Sequence, residues 1–176
     1  MSTARVLCIV QPDACEEESP AGKAVALRRV GCVGRVTSYQ ELDDGRMLIT
    51  LTGVARCALV GEVDIAKPYR ICTVGYDDFL TDFEVGAGEA EVDRQALLRA
   101  LKTYLEARNM RADWGAVAKS SNEMLVNSLS IVAPYGSQEK QALLEAPDLK
   151  TRAETLVALA EMELAAGTGG SGSTLQ

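Results

Sequence analysis

The sequence predicts an α+β chain: an antiparallel sheet curled by glycines, followed by helices that pack on one another. Three observations predict it. Up to about residue 84, apolar residues alternate with polar ones or run in short β-branched stretches, as strands do. Beyond that point the apolar residues recur at helical spacing. The two patterns do not interleave, so the halves are segregated rather than wound as β-α-β units. The expected divisions are a β subdomain over 1–84, a helical subdomain over 92–166 and a flexible Gly/Ser tail over 167–176.

The elements follow in order. ARVLCIVQP, Ala4 to Pro12, is continuously apolar and predicts a fully buried strand that ends at the proline. An acidic loop with Pro20 and Gly22 as breakers follows. Lys23 to Leu42 is β-branched and is interrupted by Gly31 and Gly34, which predict a bulge or sharp bend. Asp43-Asp44-Gly45 is a hairpin turn, because Asp-Gly supplies the positive φ that a tight turn requires. RMLITLTGVARCALV, Arg46 to Val60, then runs back. At about 3.3 Å per residue it would span roughly 45 Å, several times a common strand, so a bend is expected at Gly53. YRICTVGYDDF, Tyr69 to Phe79, reads as a further strand after Lys67-Pro68.

EVGAGEAEVD, from Glu84, is an acidic Gly/Ala-rich connector. Asp93 then caps a helix whose stripe is Leu97, Leu98, Leu101, Tyr104 and Leu105. Ser120 and Glu123 form an S-x-x-E capping box for a helix that ends at Pro134. Ser137 caps a short helix, and Asp148 caps the last one, which Gly167 ends.

Composition narrows the function. The 176 residues carry a net charge of −7 and contain no Lys/Arg cluster of the kind that releases counterions from a phosphate backbone. Nucleic acid and anionic membrane surfaces are therefore not expected partners. No histidine is present, which removes Ser-His-Asp triads, Cys-His pairs and His-ligated metals. Cys8, Cys15, Cys32, Cys57 and Cys72 are odd in number, with no C-x-x-C spacing. They read as reduced, small core residues of a cytoplasmic protein, and no metal or other cofactor is expected.

A few constellations could carry chemistry. Lys119-Ser120 could form a Ser-Lys nucleophile, but sequence neighbours point to different helix faces and Ser120 already serves as a cap. Asp43-Asp44 and Asp77-Asp78 could form carboxylate pairs, but both lie at turn signals and read as solvated turn residues. Gly31-x-x-Gly34 lacks the strand-loop-helix context of a phosphate loop and reads as a strand bend. Trp114, the only tryptophan, is expected to pack in a core or between subdomains. Arg56, on the mixed face of its strand with Thr50 and Thr52, is expected in a rim ion pair with an acidic loop residue. The alternative for Arg56 is contact with a substrate. No catalytic residue is expected, and no residue is assigned to substrate binding.

The order and spacing of several short motifs resemble one family. Val30-Gly31 before a strand, the Asp44-Gly45 turn, Gly53-x-x-Arg56 at a strand end and Pro68-Tyr69 before another strand are similar to the N-terminal, substrate-binding domain of Lon proteases. The helical half is also similar: a hydrophobic helix leads to EKQALLE (Glu139 to Glu145), then to a helix after Asp148-x-x-x-Arg152. The resemblance covers roughly Arg5 to Leu164. It implies a curled, PUA-like β-barrel followed by a helical bundle, with Arg56 as a scaffold residue. It implies a non-enzymatic module of bacterial protein quality control that binds unfolded or degron-bearing polypeptides without ATP. A structural or regulatory module that binds a folded partner, or itself, is the alternative. The family's ATPase and Ser-Lys protease modules have no counterpart in this sequence, which contains no G-x-x-x-x-G-K-[ST]. The family domain begins with a Pro/Leu-rich strand that would precede STARVLCIVQP. A start assigned too late, a chain cut short and a protein without that strand all remain open. An unpaired sheet edge is expected in its place, with a homodimer formed through it.

Overall fold

Four strands form one antiparallel sheet in the order β1-β2-β3-β4: β1 (Val6–Ile9), β2 (Val30–Glu41), β3 (Met47–Val63) and β4 (Ile71–Gly75). The structure is a computed structural model that describes residues 5–13 and 25–169. Chain contacts divide it into two compact units, Met1–Val85 and Gly86–Gln176. The α+β class holds, with the sheet preceding the helices.

The length of β3 is real, and bulges accommodate it. Val33 pairs with Ala55 while Gly34 pairs with Gly53, so Val54 is an extra residue on β3. The expected bend thus lies beside Gly53, at a bulge that kinks the strand and raises its twist. A second irregularity leaves Thr37 extra on β2, and a third leaves Val60 extra on β3 where it joins β4. Gly31 allows a close approach: a Cβ there would stand 2.9 Å from the Ile9 carbonyl oxygen and 2.7 Å from Val10 Cγ2. The end of β1 therefore approaches β2 this closely only because Gly31 has no side chain.

The turn between β2 and β3 differs from the tight turn expected. Leu42 N–H donates to Arg46 O and Gly45 N–H donates to Leu42 O, and only Gly45 takes a positive φ, of 79°. This is the three-residue hairpin loop with a left-handed glycine. β1 also departs from expectation: all of its residues are exposed, Ile9 at 58%. An edge strand has a neighbour on one side only, and a short apolar run does not say how many sides are covered.

The second unit contains α1 (Arg94–Ala107), α2 (Trp114–Lys119), α3 (Asn122–Val132), α4 (Ser137–Glu145) and α5 (Leu149–Gly169). Val92, Leu97, Leu125, Val126, Leu143, Leu149, Ala153 and Leu156 form its core. Asp93 caps α1 by accepting from Ala96 N–H, and Asp148 accepts from Thr151 N–H at the start of α5. Two expected caps are corrected. Ser121, not Ser120, caps α3 by accepting from Met124 N–H, because Ser120 closes α2 and its hydroxyl donates to Ala116 O. Gly136 is the N-cap of α4, and Ser137 is its first helical residue with no capping bond. Two motif residues fasten the bundle. Lys140 Nζ donates to the carbonyls of Ser130 and Ile131 at the end of α3, and Arg152 donates to Leu143 O and Asn127 Oδ1.

Candidate functional site

Arg56 is the most strongly held polar side chain of the first unit. It is 5% exposed, and its Nη2 lies 2.7 Å from Asp82 Oδ1 while its Nε lies 2.9 Å from Oδ2. Its backbone N–H donates to the same carboxylate at 2.9 Å. The guanidinium stands 4.6 Å from the centre of the Phe79 ring. Asp82 and Phe79 both belong to the 3-10 segment Asp77–Phe83, which folds over β3. An ion pair is present as expected, but its carboxylate comes from a 3-10 segment rather than a loop and the pair is buried rather than at a rim; the fork of the guanidinium is satisfied by it. Arg56 is therefore a clasp between a strand and a 3-10 segment.

The other candidates are either held in local structure or exposed. Asp44 accepts from Arg46 N–H at 3.0 Å and from Arg46 Nε at 2.7 Å, so it serves the hairpin turn. Asp77 and Asp78 are exposed in the first turn of the 3-10 segment. The Ser120 hydroxyl proton is committed to a backbone carbonyl, and the exposed Lys119 ends α2. Among the described residues no group of three or more Cys, Asp or Glu is placed to hold a metal ion. Cys15 lies outside the described residues. Cys8, Cys32, Cys57 and Cys72 are free thiols, and the Cys8 and Cys57 sulfurs meet at 3.4 Å. Although Cys8 is exposed as a residue, partial burial of its thiol, and then the hydrogen bond with Cys57, push it up to about 12. It stays protonated at neutral pH and is a poor nucleophile.

The surface carries what sequence reasoning missed. From Thr37 to Thr50 every residue except Leu42 is exposed, so the outer halves of β2 and β3 form a two-stranded arm. Tyr39 pairs with Ile49 and Glu41 with Met47, so Tyr39, Met47 and Ile49 share one face. Alternation over Arg46–Val60 reads as one buried face. The available signal was length: so long a ribbon outruns the core that a small unit can place beneath it. A second apolar surface is β1, at the sheet edge. Arg5 O accepts from Val36 N–H, and antiparallel alternation then turns the backbone groups of Val6 and Cys8 towards the open edge.

Trp114 is not packed in a core. It is 44% exposed, and no residue of α2 is buried. Asp113 caps this short helix by accepting from Gly115 and Ala116 N–H, which fixes the indole at the first helical position. Trp114 lines a depression with Leu105, Met110 and Ala112.

Three comparisons bear on this arrangement. A family model described as the substrate-binding domain of the ATP-dependent protease La (LON) matches residues 2–161. A solved structure, a Lon N-terminal domain protein from Xanthomonas campestris, superposes with a TM-score of 0.50 at 14% identity, over 88% of this chain and 89% of that one. Among curated proteins no significant match is found. The structural likeness, at this identity, speaks for the fold alone.

Proposed function

The chain belongs to the Lon substrate-binding domain family, and from that premise we propose that it binds polypeptide without transforming it. The substrate of a protease is a polypeptide, and the family is named for binding it. The observation that carries the proposal to this chain is the arm. Tyr39, Met47 and Ile49 are 63%, 62% and 42% exposed on one face of a ribbon. An exposed face of this kind, apolar apart from Glu41 opposite Met47, marks a contact surface, and its apolar contacts are tolerant of sequence. An extended or unfolded segment can lie along it, contributing its own apolar side chains at alternate positions. The net charge of −7 supports polypeptide over nucleic acid or an anionic membrane. Reduced cysteines support a cytoplasmic setting.

The test is anisotropy of a fluorescently labelled, reduced and alkylated protein titrated with this chain. Binding is expected, and Met47→Ser/Ile49→Ser should weaken it about tenfold, as loss of two apolar contacts implies. Absence of binding by the unsubstituted chain overturns the proposal.

A second reading, self-association, is favoured by the exposed edge strand β1. Two copies pairing through Val6–Ile9 would satisfy the edge in each. A monomeric mass by light scattering across micromolar concentrations removes it.

A further inference from the structure

A depression of about 260 Å³ opens beside the end of α1, within the second unit. Leu105, Met110, Ala112 and Trp114 form its apolar lining, and Lys102, Glu106 and Arg111 complete it. The charges are unequal. Lys102 Nζ lies 3.9 Å from Glu106, whereas Arg111 has no carboxylate within ion-pair distance among the described residues. The neighbouring Arg108 is committed, 2.8 Å from Glu163 and over the Tyr104 ring. A guanidinium with no carboxylate partner among the described residues thus stands against an apolar surface, on a chain whose net charge is −7.

We propose that this depression binds the C-terminal residue of a polypeptide, with an apolar side chain against Trp114 and Met110 and the α-carboxylate on Arg111. The inference rests on the polypeptide-binding reading and adds a chemical class to it. Size selects the occupant. The volume lies below the roughly 300–1,000 Å³ of small-molecule sites, which suits a single residue. A C-terminal residue carries its carboxylate on the same Cα as its side chain, so both reach a site this small. An internal Asp or Glu beside an apolar residue would point to the opposite side of an extended chain. The guanidinium fork matches a carboxylate bidentately, and the indole gives a flat apolar support with little entropy to lose.

Trp114 is the chain's only tryptophan, so its emission reports occupancy directly. The probes are an N-terminally labelled octapeptide ending in leucine as the free acid, the same peptide amidated, and an amidated peptide with an internal Asp-Leu. The free acid should bind and shift Trp114 emission to the blue. Amidation should weaken binding about tenfold, and Arg111→Gln should weaken the free acid by the same factor, as expected for a lost charge-assisted hydrogen bond. Arg111 is exposed, so its replacement leaves the fold intact, which circular dichroism checks. Equal binding of acid and amide, or binding of the internal Asp-Leu peptide as tightly as the free acid, overturns the inference. Binding of the unfolded protein with no Trp114 response to any peptide overturns it too and leaves the polypeptide-binding reading standing. Failure of both kinds of probe overturns both.

Discussion

Replacing Arg56 separates a clasp from a binding residue. Its side chain and that of Asp82 are 6% and 19% exposed, so removing either leaves a charge in a poorly solvated place. Breaking such a pair costs about 3–5 kcal/mol, mostly as the penalty on the orphaned partner. Arg56→Ala should therefore lower the unfolding free energy of the first unit by about 3 kcal/mol, read from urea denaturation. Arg56→Lys should recover little, because an ammonium cannot meet both carboxylate oxygens and cover the Phe79 ring at once. The double variant Arg56→Met/Asp82→Leu should be less destabilised than the sum of the two single changes. Full stability in Arg56→Ala would sink this reading. The pairing was legible in the sequence as an expectation, because an arginine on a strand among apolar neighbours requires an acid. Which acid was not legible: Asp82 lies 26 positions away, in a 3-10 segment with no sequence period of its own.

At the scale of elements, the glycines of the sheet are not equivalent, although the sequence presents them alike. A Cβ on Gly31 would press on the backbone of Ile9, which cannot move without shifting β1. A Cβ on Gly53 would meet nothing within 4 Å. Gly31→Ala should cost about 1–3 kcal/mol through overpacking, whereas Gly53→Ala should be neutral or stabilise by about 0.4–1 kcal/mol through the unfolded chain. Thermal midpoints of the two variants check this, and equal midpoints would show that the end of β1 is not packed against Gly31. Caps show the same pattern of partial legibility. Asp93 and Asp148 were readable because each precedes its helix alone. Ser120 and Ser121 were not separable, because the doublet ends one helix and starts the next, and the unpredicted α2 took the first serine. The arm was misread because alternation reports pleating, and burial enters only through what packs on the pleat. The residues that carry the resemblance in the helical half are architectural: Lys140 and Arg152 tie helix ends to the bundle. The motifs therefore identify the fold, while the apolar surfaces lie outside them, at Tyr39, Ile49 and Trp114.

At the scale of the whole chain, two units with separate cores invite the question of whether each folds alone. The second has its own core from Val92 to Leu156, which predicts independent folding of a Gly86–Gln176 fragment. The sequence places the start of the helical subdomain at residue 92, after an acidic connector. The structure ties the connector in. Gly86 N–H donates to the Glu123 carboxylate at 2.9 Å, Asn122 Nδ2 donates to Glu89 O at 2.9 Å, and Glu123 N–H donates to the Glu89 carboxylate at 2.8 Å. A fragment that begins at Val92 should also be helical by far-UV circular dichroism but melt lower. The two hydrogen bonds made by Gly86 N–H and Asn122 contribute about 1 kcal/mol each, which for a domain of this size is a drop on the order of 10 °C. Acid should narrow the gap. The Ser121 hydroxyl and then the Glu123 amide hold the Glu89 carboxyl below its ordinary value of 4.5. Support from a carboxyl lowered in this way is present above that value and is lost as pH falls through the lowered one. The fragments should therefore differ most at neutral pH, and the difference should shrink, without vanishing, as pH falls below 4.5. Identical midpoints at pH 7 would show that residues 86–91 are a tether rather than part of the helical unit.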